Sequence, residues 1–231
     1  MNRILFLIAM LGLGATAWAD QTKGDVTDRL QKAGDVLHQV MATPDKGIPE
    51  EVMDHAKCIA VVPHLVKGGF VFGAEGGRGV ATCRTAHGWS APAFFDVEGG
   101  SWGLQIGVEG IDLVMIIQND HGMQELLSSK FQIGGDASAA AGPIGRHASA
   151  DTDWKLNAEI LTYSRAKGIF AGLTLNGAAV HQDEDAMHAF YGPNVTVRQA
   201  LMGEVPPPPG SMSFLGAVRS AREQAKAAES K

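Results

Sequence analysis

Cysteine, charge and long apolar runs are all scarce in this 231-residue chain. Two cysteines cannot build a disulfide-dense scaffold or a four-cysteine zinc site. Charged residues make up 19% and the formal net charge is −6, which excludes a broad basic surface for nucleic acid. No H-E-x-x-H motif, P-loop or strand-linked G-x-G-x-x-G is present. The eight histidines show no paired metal-ligand spacing, and His64, His87 and His121 adjoin turn-like sequence and read as surface residues. No metal and no cofactor is therefore expected. Beyond the extreme N-terminus no run is apolar enough to span a bilayer; the best candidate, 104–118, carries Glu109 and Asp112.

What is present is apolar mass, 45% of residues, enough for a sizeable core, and glycine, 29 residues, roughly twice the usual share of about 7%. The glycines follow no G-X-Y period, so a collagen helix is excluded. The first nineteen residues have the anatomy of a secretory signal: Arg3, an apolar run over 4–13, and Ala17-Trp18-Ala19 before Asp20. Cleavage is expected after Ala19, with export to a bacterial periplasm. No cysteine adjoins that site for lipid attachment. Loss of Arg3 leaves 18 basic against 25 acidic residues, a net charge of −7.

The mature chain opens with a helical stripe: Val26, Leu30, Ala33, Leu37, Val40 and Met41 recur at spacings of three and four. A second short helix is expected from Pro49. From Cys58 the pattern turns to strands: 59–62 ending at Pro63, 69–73 and 79–83 about a Gly76-Gly77 turn, 91–97, 102–117, 131–141, 159–163 and 169–180. Repeated glycine within strands marks bulges and close backbone approach, and so a strongly curved sheet or partial barrel. Short helices are expected over 123–128, 184–191 and 197–202, the last capped by Thr196. A proline run, 206–209, forms a stiff spacer. After it Phe214, Leu215, Val218, Ala221 and Ala225 stripe a terminal amphipathic helix, with Ser213 as its expected N-cap. The fold class is α+β: a curved, glycine-rich, mostly antiparallel sheet with an N-terminal amphipathic helix and short flanking helices. The organisation is a signal over 1–19, one domain over 20–205, a spacer over 206–210 and a helix over 211–231.

Gly99-Gly100-Ser101-Trp102-Gly103 matches the hydrolase elbow G-x-S-x-G, but that elbow needs a strand, a strained turn and a helix, and here strand-like sequence follows. Ser101 is expected in a turn, and a serine hydrolase with His181, Asp183 and Asp185 is the most remote of three readings. Cys58 and Cys83 lie 25 apart, each at one end of a predicted strand. In an oxidising compartment they read as a disulfide, the alternative being two buried free thiols.

Blocks along the chain carry a further likeness. Ala56-Lys57-Cys58-Ile59-Ala60-Val61-Val62-Pro63, Lys67-Gly68-Gly69-Phe70, Gly88-Trp89-Ser90-Ala91-Pro92, Gly103-Leu104-Gln105-Ile106-Gly107 before Asp112-Leu113-Val114, Gly134-Gly135-Asp136-Ala137-Ser138, Ala141-Gly142-Pro143-Ile144-Gly145-Arg146 and Tyr163-Ser164-Arg165-Ala166-Lys167-Gly168 occur in order. This set, over about 24–203, resembles the SYLF family of lipid-binding domains, also called the yeast-type actin-binding domain. The resemblance implies phospholipid binding without catalysis, with membrane contact tied to the N-terminal helix and nearby basic residues. The matching positions are Leu30 and Leu37 on the helix, and Lys57, Lys67 and Arg78. Neither actin nor phosphoinositide is expected in a periplasm. Because Arg29 and Lys32 are opposed by Asp25, Asp28 and Asp35, contact is expected to rest on apolar burial more than on charge. A structural envelope protein that binds a protein partner through Phe214 to Val218 is the second reading.

Overall fold

The computed structural model describes residues 21–43, 47–69, 72–102, 107–144, 158–166, 169–172 and 177–229. The expected signal, 1–19, lies outside them. Helix α1 (Lys23–Met41) starts at Thr22: the Thr22 hydroxyl accepts the Asp25 N–H, and the Asp25 carboxylate accepts the Thr22 N–H. This reciprocal cap satisfies two donors that the first turn leaves open. Helix α2 (Glu50–His55) follows Pro49, which stands at the N-cap. Then come β1 (Cys58–Gly69), β2 (Phe72–Thr85), β3 (Gly88–Trp89), β4 (Ala93–Trp102) and β5 (Gly107–Ile117). After α3 (Asp120–Leu126) the chain forms β6 (Lys130–Gln132), β7 (Ala139–Ala141), β8 (Ile160–Ala166), β9 (Ile169–Gly172) and β10 (Ala179–Gln182). It ends with α4 (Glu184–Tyr191), α5 (Val197–Leu201), a 3-10 turn (Pro209–Ser211) and α6 (Met212–Glu229).

The strands form one sheet in the order β6-β10-β4-β2-β1-β5-β8-β7, with β3 beside β2 and β9 beside β8. Every pairing between these strands is antiparallel except β7 with β8. The fold is α+β, an open curled sheet, or half-barrel, with flanking helices.

Several boundaries differ from the sequence reading, each for a physical reason. Strand β1 does not stop at Pro63. Its register with β5 shifts between Val62 and Leu65, so Pro63 falls in a bulge where its missing N–H interrupts no ladder. His64, in the same bulge, has φ 59°. Gly76-Gly77 is not a turn but the interior of β2, paired with β1 and β4. A Cβ at Gly77 would lie 2.7 Å from Val62 Cγ1 and 2.9 Å from Leu65 Cδ1; the glycine serves close approach. Ser101 is not a turn residue either. It lies inside β4, paired with Gly73, and the next described element is strand β5. The stretch 131–141 breaks into β6 and β7 around Gly134, with φ 80°. Helix α6 begins one residue before Ser213, directly after the 3-10 turn, so Ser213 is not its cap.

Cross-strand partners share a face and successive residues alternate. Val61, Val80, Phe94 and Val114 therefore share one face. Over it lie α1 and α4: the Arg29 guanidinium sits 5.5 Å from the Phe94 ring, and Phe190 meets that ring edge-on at 5.4 Å. Helix α6 packs against α1, and a Cβ at Gly34 would lie 3.0 Å from the Ser213 carbonyl oxygen. On the other face Ala81, Ala93 and Phe95 meet Leu126 of α3, Phe131 of β6, and Val197 and Leu201 of α5. A Cβ at Gly79 would fall 2.3 Å from the Phe95 ring, which folds across the bare backbone. Curvature and core filling thus share one cause, glycine opposite a large side chain.

Candidate functional site

The five residues singled out for contact do not converge. Leu30 and Leu37 are wholly buried in the core, so in this arrangement they meet protein and not lipid. A stripe marks which helix face is apolar; it cannot say whether protein already covers it. Lys57 is half-exposed and paired with Asp120 of α3 at 3.0 Å. Lys67 is mostly buried and paired at 2.7 Å with Glu75, which is itself nearly buried. Glu75 and Arg78 are three residues apart on β2, so Lys67 and Arg78 occupy opposite faces. Arg78 is exposed. On α6, Phe214, Leu215 and Val218 are buried, which removes them as a free partner surface. Cys58 and Cys83 stand directly opposite on β1 and β2 and form a disulfide.

A row of ionisable side chains crosses the helix-covered face at one level. His181, Asp96 and Arg78 are successive cross-strand partners on β10, β4 and β2. Asp112 and Arg165 are partners on β5 and β8. Between them, the His64 N–H donates to Asp112 Oδ1 at 3.1 Å, and the His64 ring lies over Gly110. Helix α1 is fastened to this belt at both ends. Arg29 donates to Asp183 Oδ2 at 2.9 Å and to the Gly79 carbonyl at 3.4 Å, and Gln21 donates to both Asp183 oxygens. Arg165 donates to Gln39.

The two carboxyls near Arg29 titrate oppositely. Burial pushes Asp183 up, but hydrogen bonds from Gln21, the Ala186 N–H and Arg29 outweigh it and hold the carboxyl below its ordinary value. Asp96 is pushed up to about 6, first by burial and then by the Asp183 charge, against smaller lowering by Arg29 and Arg78. Asp96 Oδ1 is buried and meets no donor among the described residues.

Past the belt the same face becomes bare. Val66, Gly76 and Glu98 are cross-strand partners, as are Gly68, Ala74 and Gly100. Val66, Ala74, Glu98 and Gly100 are exposed, with Gly68 and Gly76 partly so. Arg78 stands at the border. Among the described positions, small residues beside Val66 suit an extended apolar chain, and the adjoining guanidinium suits an anionic group. Sequence reasoning named Arg78 but missed the belt. Its trace is charged residues breaking the apolar alternation at Asp96, Asp112 and Arg165, visible only once register aligns them. Among the described residues no group of three or more His, Cys, Asp or Glu could hold a metal ion, and no helix is long and apolar enough to cross a membrane.

Residues 98–221 match the family described as "Ysc84: Las17-binding protein actin regulator". The rat "SH3 domain-containing YSC84-like protein 1" is 34% identical over 167 residues, 71% of this chain and 49% of the relative. In Saccharomyces cerevisiae, "LAS seventeen-binding protein 3" is 34% identical over 169 residues, 71% of this chain and 37% of the relative. "Protein YSC84" from the same yeast is 33% identical over 180 residues, 76% of this chain and 38% of the relative. The chain spans about half the length, or less, of the curated relatives it matches.

Proposed function

This chain belongs to the Ysc84, or SYLF, family, and from that membership we propose that it is a non-catalytic phospholipid-binding protein exported to the bacterial periplasm. The family description speaks of Las17 binding and actin regulation, and one yeast relative's name of LAS seventeen binding. For a protein sent into a bacterial envelope the matching partner is the lipid surface. The setting of Ser101 within β4 and before β5 gives the hydrolase reading no elbow.

The observation that carries the lipid reading is the bare end of the sheet beside Arg78. Val66 is 38% exposed there, among glycine and alanine with Glu98 at one side. Burial of apolar surface supplies about 25 cal/mol per Å², and Arg78 meets a phosphate at short range. Because Leu30 and Leu37 are buried, the contact belongs to this end and not to the α1 stripe. Vesicle flotation of the mature chain with phosphatidylethanolamine and phosphatidylglycerol tests it. The chain should float, and folded Val66→Asp and Arg78→Glu variants should each float several-fold less. A mature chain that stays at the bottom of the gradient rules out lipid binding; variants that float normally move the contact elsewhere.

A further inference from the structure

The N-terminal half of α1 is held by an ionic cluster whose charges do not balance. Arg29 is 7% exposed and donates to Asp183, the N-cap of α4. Gln21, just before α1, holds the same carboxylate. Asp96 carries a second carboxylate into this group from β4, and its buried Oδ1 meets no donor among the described residues. Charged groups act on it from its neighbours, Asp183 from the start of α4, Arg29 from α1, Arg78 from β2 and Glu98 from its own strand, and the His181 imidazole is its partner on β10. Asp25, in the first turn of α1, also senses Arg78. The buried Arg29 guanidinium hydrogen-bonds Asp183 and acts on Asp96 only through its charge, and among the described residues Asp183 has the donors that Asp96 Oδ1 lacks.

We propose that Asp96 is a proton-operated latch on α1: neutralising its carboxyl tightens the helix against the sheet, and ionising it loosens the helix. A neutral Asp96 removes the repulsion on Asp183 and turns its acid into a hydrogen-bond donor. An ionised Asp96 keeps a desolvated oxygen unpaired beside a like charge. The direction of titration agrees. Asp96 is raised to about 6 in the folded protein, whereas an unfolded aspartate ionises near about 3.9. The stability from this group is thus complete below about pH 4 and is lost as pH rises through about 6. The latch is independent of the lipid reading.

The test compares urea-unfolding midpoints of wild type and Asp96→Asn at about pH 7.5 and about pH 5. Asp96→Asn should be the more stable at pH 7.5, and its advantage should shrink at pH 5. The same comparison in a His181→Gln background must give the same difference, since the His181 imidazole sits opposite Asp96. A carboxyl carbon NMR titration of wild type should place the Asp96 midpoint near 6. Amide exchange over 22–30, corrected for intrinsic rates, should slow on the order of tenfold from pH 7.5 to pH 5. A difference between variants that is equal at the two pH values overturns the latch, as does an Asp96 midpoint below about 4.5, which remains readable even if the variant fails to fold.

Discussion

Arg29 lies off the apolar stripe of α1, yet it is buried and linked to Asp183 and the Gly79 carbonyl. Removing one partner of a buried pair leaves an uncompensated charge, so Arg29→Ala should cost about 3–5 kcal/mol, read from urea unfolding at pH 7. Replacing Arg29 and Asp183 together by apolar residues should cost clearly less than the sum of the single changes. Asp183 has the opposite pH sign from Asp96: its carboxyl is held low, so its contribution is complete above about pH 4, the unfolded value, and is lost as pH falls through the folded value. The disulfide is the other residue-scale feature. Exported protein unfolded without reductant should show no free thiol by thiol titration, and reduction should lower stability by about 3 kcal/mol. Two free thiols there would contradict the bond between Cys58 and Cys83.

Elements meet where a missing side chain lets them. Gly34 lowers the intrinsic helicity of α1 by about 1 kcal/mol, and its return is the approach of α6. Gly34→Val should destabilise by about 1–3 kcal/mol through overpacking, measured by thermal or urea unfolding. Gly79 and Phe95 form a sharper case, since a Cβ would sit inside the ring's contact distance. Gly79→Ala and Phe95→Ala should each destabilise, and the double variant should cost less than their sum by about 1 kcal/mol or more; strict additivity would refute the ring-over-glycine packing. The cap expected at Thr196 is present and completes a capping box: its hydroxyl accepts the Gln199 N–H, and the Gln199 side-chain Oε1 accepts the Thr196 N–H.

At the scale of the molecule, α6 is part of the core. Phe214, Leu215, Ala217, Val218, Ala221 and Ala225 are all buried, and Arg222 pairs with Asp54 of α2. Deleting residues from 210 onward should strip that cover from α1 and lower the melting temperature by many degrees; an unchanged melt would show the helix to be an appendage. With a net charge of −6 over the whole sequence, long-range attraction to anionic vesicles is weak or repulsive, so flotation should fall only modestly as salt rises. Abolition by moderate salt would put the contact on a basic site instead.

The sequence by itself determined the α+β class, the helical stripes at 26–41 and 214–225, the presence of a curved glycine-rich sheet and the family, because periodicity and small-residue spacing are local properties. It did not determine which apolar stripes are already covered. Leu30 and Phe214 lie on like apolar stripes, which fit docking on the domain as well as outside contact, and each is buried, largely because α1 and α6 pack together across some 180 residues of chain. Nor did it determine the belt. Arg78, Asp96 and His181 stand in three separate stretches of sequence, and a one-residue slip of any strand would send its member to the opposite face. Register therefore decided which charges meet, and the bulge at His64 helped set that register by shifting β1 against β2 and β5. Only tertiary structure could make Asp96 unusual, since its raised ionisation comes from burial and from Asp183, a carboxylate brought to it by the fold.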